Sequence, residues 1–207
     1  MRIANNDGDE APYDITVSGT AGPWAAQTSG TPEHLRGMHF TDANNGWAVG
    51  NSGTIVHTSN GGATWAPQTS GTGSHLLGMH FTDANTGWAV GSTGKIVNTI
   101  DGGVNWTAQI SGRTDALWGV HFTDASNGWI ASQGGIILNT SDGGVNWTVQ
   151  NSGGGAALYG VYFRNATTGW AVGNSGAILH TIDGGATWNT RTVVGNTFQA
   201  FHNVQFT

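Results

Sequence analysis

Trp24, Trp65, Trp106, Trp147 and Trp188 stand 41 residues apart, and Trp47, Trp88, Trp129 and Trp170 keep the same interval in a second register. Nine of the ten tryptophans therefore belong to one repeat, with no insertion or deletion between its copies. A period near 40 with several short strands per unit is the pattern of a propeller blade, a sheet that cannot bury both its faces until neighbours stack on it. No stretch has helical periodicity. A chain of 207 residues holds five such units and little besides. The expectation is a single all-β domain over residues 1–207, a five-bladed β-propeller of four-stranded blades.

Aligned on Trp65, each unit runs through an apolar stretch, a turn, Gly-Trp, a second turn, a second apolar stretch, and a Gly-Gly turn into a last Trp. In the first full unit this predicts strands over Gly37–Thr41 (a, innermost), Trp47–Gly50 (b), Thr54–Thr58 (c) and Thr64–Thr69 (d, outermost). Short Gly-, Asn- and Asp-rich connectors suit hairpins. Full blades start at about residues 37, 78, 119 and 160. The fifth must draw on both termini. Val204–Thr207 matches Met38–Thr41 after a two-residue insertion and predicts a closing strand a within residues 200–207. Trp24–Gln27 matches Trp65–Gln68 and predicts a strand d. Within residues 1–22, Tyr13–Ser18 serves as strand c and Arg2–Asn5 as strand b. Pairing the terminal strands in one blade would close the ring and remove open sheet edges. A monomer follows if it closes; two chains completing each other are the alternative. In a rival reading, Asn5–Tyr13 resembles the last hairpin of immunoglobulin-like anchor domains in bacterial surface proteins.

Thr58-x-Asn60-Gly61-Gly62-x-Thr64-Trp65 recurs at Thr99–Trp106, Thr140–Trp147 and Thr181–Trp188. It resembles the Asp-box (BNR-like motif) of sialidases and related propellers, with Asp101, Asp142 and Asp183 at the acid position and Asn60 in the first copy. The resemblance implies a structural c–d turn, with Trp65, Trp106, Trp147 and Trp188 packing over it. Gly46-Trp47-Ala48-Val49-Gly50 recurs at Gly87–Gly91 and Gly169–Gly173, and loosely at Gly128–Ser132. Together the two motifs resemble the photosystem II assembly-factor repeat family over about residues 24–190. Members of that family are larger rings with an arginine-rich binding surface. The five arginines here fall out of register with the repeat, so the resemblance does not carry the assembly-factor function over.

Charge narrows the function classes. Charged residues are 9% of the chain, against a typical ~25%. Six Lys plus Arg and a net charge of −6 argue against a nucleic-acid partner, which needs clustered cations. No run of 18 apolar residues exists, so membrane insertion is not expected. With no cysteine there are no disulfides and no thiolate metal sites. The Thr- and Asn-rich, Lys-poor composition suggests a bacterial extracellular or cell-surface location.

Catalysis finds little support. A sialidase needs three arginines in register, a Tyr–Glu pair and an acid, and the only glutamates are Glu10 and Glu33. Other glycosidases need two facing carboxyls. Most acids here, including Asp42, Asp83 and Asp124, repeat in turns and read as structural; Asp115 and Glu33 stand isolated in long loops. The expectation is a non-catalytic module without metal or cofactor. His39, His80 and His121 share one strand-a position with Tyr162 and Gln205, and would ring a central channel. The varied d–a loops share a face with the b–c turns and are the place to expect binding. Candidate ligand-binding residues are Arg36, His75, Asp115, Trp118 and Tyr159. Trp118 either stacks on a sugar or anchors a partner, or it fills a blade interface. The predicted partners are glycans or a surface protein. A scaffold role in a larger assembly, or an amplified or engineered repeat with no native ligand, are the alternatives.

Overall fold

The computed structural model describes residues 26–191 and 200–205. Among these residues sixteen strands form four antiparallel four-stranded sheets, each a simple meander in sequence order. Blade 1 holds β1 (Leu35–Phe40), β2 (Gly46–Gly50), β3 (Ile55–Thr58) and β4 (Ala66–Gln68). Blade 2 holds β5 (Leu76–Phe81), β6 (Gly87–Gly91), β7 (Lys95–Thr99) and β8 (Thr107–Ile110). Blade 3 holds β9 (Leu117–Phe122), β10 (Gly128–Ser132), β11 (Ile137–Thr140) and β12 (Thr148–Gln150). Blade 4 holds β13 (Leu158–Phe163), β14 (Gly169–Gly173), β15 (Ile178–Thr181) and β16 (Asn189–Thr190). The expected strands are met within one or two residues in blade 1.

The core lies between blades. Trp47, Val49 and Ile55 of blade 1 pack on Leu76, Met79, Phe81, Ala89 and Val97 of blade 2. The same set recurs one period on, between blades 2 and 3 and between blades 3 and 4. At each seam the b-strand Trp lies flat on the next a-strand Phe: Trp88 on Phe122 at 3.5 Å and 8°, Trp129 on Phe163 at 3.6 Å and 8°. The glycine before each b-strand Trp is a space requirement. A Cβ on Gly128 would come within 2.3 Å of the Phe122 ring, and one on Gly87 within 2.6 Å of Phe81.

Five blades were expected, and four stand among the described residues. The proposed strands Arg2–Asn5 and Tyr13–Ser18, and Trp24 itself, lie outside them, as do Phe206 and Thr207. Residues 200–205, expected to begin the closing strand a, form no strand. They lie beside β13 of blade 4. A Cβ on Gly78 would meet the Trp118 carbonyl and Gly119 Cα, and one on Gly119 the Tyr159 carbonyl and Gly160 Cα. One on Gly160 would meet the His202 carbonyl and Asn203 Cα. The neighbour relation thus steps on once more, without ladder hydrogen bonds to make it a strand. Blade 1 has no described blade before it. Its Leu35, Met38 and Phe40 are 37%, 64% and 38% exposed, where their counterparts Leu76, Met79 and Phe81 are 0%, 8% and 2% exposed.

Candidate functional site at the channel mouth

Two sets of turns fix the two faces of the body. On one face the b–c turns bond the d–a loops: Asn51 N–H donates to the His34 carbonyl, Ser92 to His75, Gln133 to Ala116 and Asn174 to Ala157. On the other face each Asp-box bonds its own a–b turn, as Gly102 N–H does the Asn85 carbonyl. The varied loops therefore gather at one end, as the sequence implied.

That end opens into a cavity of 440 Å³. Its rim carries one residue from each of five successive chain segments: Arg36, Leu77, Trp118, Tyr159 and His202. Below them comes a narrow level of Gly37, Gly78, Gly119, Gly160 and Asn203, then an apolar level of Met38, Met79, Val120 and Val161. Trp118, Tyr159 and His202 form an aromatic run. Trp118 meets Tyr159 edge-on at 5.5 Å, and Tyr159 stacks on His202 at 5.0 Å and 15°. The Trp118 indole N–H is buried without a hydrogen-bond partner. Across the mouth, Arg36 donates from Nε to Asn51 Oδ1 at 2.7 Å.

The geometry separates the predicted ligand-binding residues. Arg36, Trp118 and Tyr159 share the mouth. His75 and Asp115 are engaged as loop ties. His75 Nδ1 accepts the Ser52 N–H at 3.0 Å, clipping the loop before blade 2 to a turn of blade 1 where Ser52 holds φ 55°. Asp115 accepts from Arg113 Nε at 2.8 Å, from the Ser132 hydroxyl, and from Gly134 N–H at 3.1 Å. Burial raises the Asp115 carboxyl, and the Ser132 and Arg113 bonds outweigh it, holding the group below its ordinary value. A carboxylate so engaged is poorly placed to act as a general acid. His202 was not among the predicted residues, although the alignment of Val204 with Met38 also sets His202 in register with Arg36 and Tyr159.

Beneath the mouth, His39, His80, His121, Tyr162 and Gln205 line a second cavity of 230 Å³. Consecutive rings lie 4.7, 4.5 and 4.8 Å apart, from His39 to Tyr162. These are the five residues that the sequence aligns at one repeat position. Among the described residues no group of three or more metal-ligating side chains is placed to hold a metal ion.

The Asp-boxes act at the seams as well as within their turns. Thr99 Oγ1 donates to Asp101 Oδ1 at 2.8 Å and accepts from Gly103 N–H at 2.8 Å, and Asp101 Oδ1 accepts the Asn105 N–H at 2.9 Å. Asp142 and Asp183 repeat this, and bonds from Asn146 and from Thr187 respectively pull their carboxyls to about 2. Asn60 keeps the turn with its amide oxygen, accepting from Thr64 N–H and Thr58 Oγ1, each at 2.9 Å. The Gly102 carbonyl then accepts two bonds from the preceding blade, from Trp47 Nε1 at 3.1 Å and Gln68 Nε2 at 2.9 Å. Trp106 stands edge-on to Phe81 at 5.9 Å and donates back to Gln68 Oε1 at 3.2 Å. Trp188 does the same to Phe163 and Gln150, at 5.8 and 3.4 Å. Trp65 meets Phe40 at 6.0 Å and Trp147 meets Phe122 at 5.9 Å. The latching glutamines were missed in the sequence, although Gln27, Gln68, Gln109 and Gln150 recur every 41 residues.

The chain is similar in structure to a protein described as YCF48 bound to D1 peptide, at TM-score 0.56 and 18% identity, over 83% of this chain and 84% of that one. It also resembles AFV00434, an ancestral GH74 enzyme, at TM-score 0.64 and 14% identity, over 80% of this chain but 26% of that one. The computationally designed Ika4 protein matches at TM-score 0.63 and 13% identity, over 77% of this chain and 98% of that one. At these identities the likenesses show the fold. No curated protein matches the sequence significantly. The family model for photosynthesis system II assembly factor YCF48 matches residues 70–153 and 151–207. That match overturns the extracellular or cell-surface location expected from composition, since the family is one of photosystem assembly factors. With two thirds of its length so matched, the chain belongs to the photosynthesis system II assembly factor YCF48 family.

Proposed function

We propose that this chain is a non-catalytic, protein-binding propeller that takes a segment of polypeptide at the channel mouth. The carrying observation is the mouth itself. An aromatic run (Trp118, Tyr159, His202) faces Arg36 and Leu77 across a cavity of 440 Å³ floored by methionine and valine. Apolar pockets edged by an aromatic and an arginine suit a side chain of a peptide anchored at a few points. Family membership supports the reading, as does the solved relative with a bound peptide. Among the described residues no carboxylate lines the mouth, and Asp115 nearby is fully engaged, which speaks against hydrolysis there. Glycan binding, the earlier expectation, would use open ring faces; Tyr159 spends a face on His202 and Trp118 is half-buried.

We further infer that a fifth blade completes the ring. Support comes from the placement of residues 200–205 beside Gly160 and from the open face of Leu35, Met38 and Phe40. A ring closed within one chain needs no second copy to complete a blade.

The test is a peptide array read by fluorescence polarisation, with wild type beside Trp118→Ala and Arg36→Ala. Peptides that bind wild type and lose at least tenfold in affinity with Trp118→Ala support the mouth. Binding untouched by both variants places the interface elsewhere. Absence of peptide binding together with a glycan response would overturn the reading.

A further inference from the structure

The second cavity has a donor pattern that separates two kinds of ligand. Phe122 N–H points at His80 Nδ1 over 3.4 Å, and Phe163 N–H at His121 Nδ1 over 3.4 Å. A backbone N–H can only donate, so each Nδ1 is an acceptor, and the proton of the neutral ring sits on Nε2. A histidine that ligates a metal does the opposite, offering one nitrogen's lone pair to the ion and donating from the other. With Nδ1 already accepting, a neutral His80 or His121 has no lone pair left for a metal. The ring instead offers Nε2–H donors.

The surroundings favour an acceptor that carries negative charge. The cavity is lined by His39, His80, His121, Tyr162, Gln205 and Asn203 above apolar side chains, and no carboxylate of the described residues lines it. It shares Met38, Met79, Val120, Val161 and Asn203 with the mouth, where Arg36 supplies the cation nearest the entrance. At neutral pH the histidines are uncharged. Burial, the main cause, holds His121 near 4 and His80 near 2, with repulsion between the rings adding to it. A multiply charged anion would lose its hydration with no buried cation to replace it. We propose that the histidine ring is a binding site for a small monovalent anion, a halide or a carboxylate, inside the channel and separate from the polypeptide at the mouth.

Such an anion favours the charged form of a neighbouring histidine, and the proton enters at His39, since Nδ1 of His80 and of His121 already accepts a backbone N–H. If one proton is taken up with it, affinity rises by up to about tenfold for each unit of falling pH. Among the described residues the titratable groups facing the ring are the three histidines and Tyr162, with Arg36 above.

The experiment is long-range ¹H–¹⁵N NMR of the folded wild-type chain from pH 7 to pH 5, titrated with sodium chloride or sodium formate against gluconate at equal ionic strength. Expected are Nε2–H tautomers for His80 and His121, with saturable shifts of both that tighten as pH falls. Shifts with both probes assign the site to small anions in general, and with formate alone to carboxylates. His80→Leu should lose the shifts, while His180→Gln, outside the channel, should keep them. Nδ1–H tautomers, stoichiometric zinc binding lost in His80→Leu, or no response to either probe would each overturn the proposal. The tautomer and titration are read on wild type, so a variant that fails to fold leaves the test intact.

Discussion

Trp88 of blade 2 donates its indole N–H to the Gly143 carbonyl of blade 3 across 3.1 Å and 55 residues of chain. Trp47 and Gly102, and Trp129 and Gly184, repeat the bond at the same span and distance. A strand-b tryptophan thus reads the Asp-box of the next blade, and a strand-d glutamine reads the same carbonyl. The motif that resembles a local turn is one half of an inter-blade latch.

Gln68 makes both parts of that latch, donating to the Gly102 carbonyl at 2.9 Å and accepting from Trp106 at 3.2 Å. Gln68→Ala should destabilise by about 1–3 kcal/mol, since it leaves a partly buried indole N–H unpaired. Urea unfolding should show a lower midpoint at unchanged m.

Gly103 holds φ 88°, and a Cβ there would lie 2.0 Å from Gln68 Oε1. Gly103→Ala should therefore destabilise more than the roughly 1–2 kcal/mol of a left-handed residue alone. In a Gln68→Ala background the steric part should vanish and the backbone part persist. A double-mutant cycle by urea denaturation measures the difference.

Asn60 occupies a site that the other three boxes give to aspartate. The carboxyls of Asp142 and Asp183 are depressed to about 2 by hydrogen bonds to the charged form. Such a group adds stability above its unfolded value near 3.8, and this is lost as pH falls toward 2. Asn60→Asp should raise the melting temperature at pH 7 and lose the gain on acidification. Thr64 would then turn its hydroxyl to donate, as Thr187 does to Asp183 at 2.6 Å. Asp142→Asn should remove the pH-dependent part at its own box. Melting curves from pH 7 to pH 2 check both.

The channel histidines act in the same direction by another cause. Burial lowers His121 to about 4 and His80 to about 2 from 6.5, so the unfolded chain binds more protons across that window. Stability should decline as pH falls below 6.5, toward 4 for His121 and further for His80. His121→Gln should flatten the decline between pH 6.5 and 4, measured by urea unfolding in gluconate buffers.

The sequence revealed most where one residue type answers one local demand. Tryptophans at fixed spacing, glycines under phenylalanine rings and acids in tight turns each declare themselves every 41 residues. Gln68 recurs as regularly, but on an outer strand it looks like any surface amide; its use depends on which turn the next blade presents. His75 repeats only His34, and Asp115 stands in place of Ser74 and Ala156, so neither shows the full five-fold pattern that marks a structural position. Their loops use them as ties, to Ser52 in one case and to Ser132 and Gly134 in the other. His202 sits at the mouth in a segment whose two extra residues displace its register and which forms no ladder.

The alternation of latch and stack puts heredity and energy out of phase. A 41-residue copy is a blade, but Trp88 and Phe122, which hold the body together, come from different copies. Duplicating a copy inserts one whole seam and deleting a copy removes one, while every surviving seam keeps its chemistry. Blade number in such a chain is therefore open to change by counting alone.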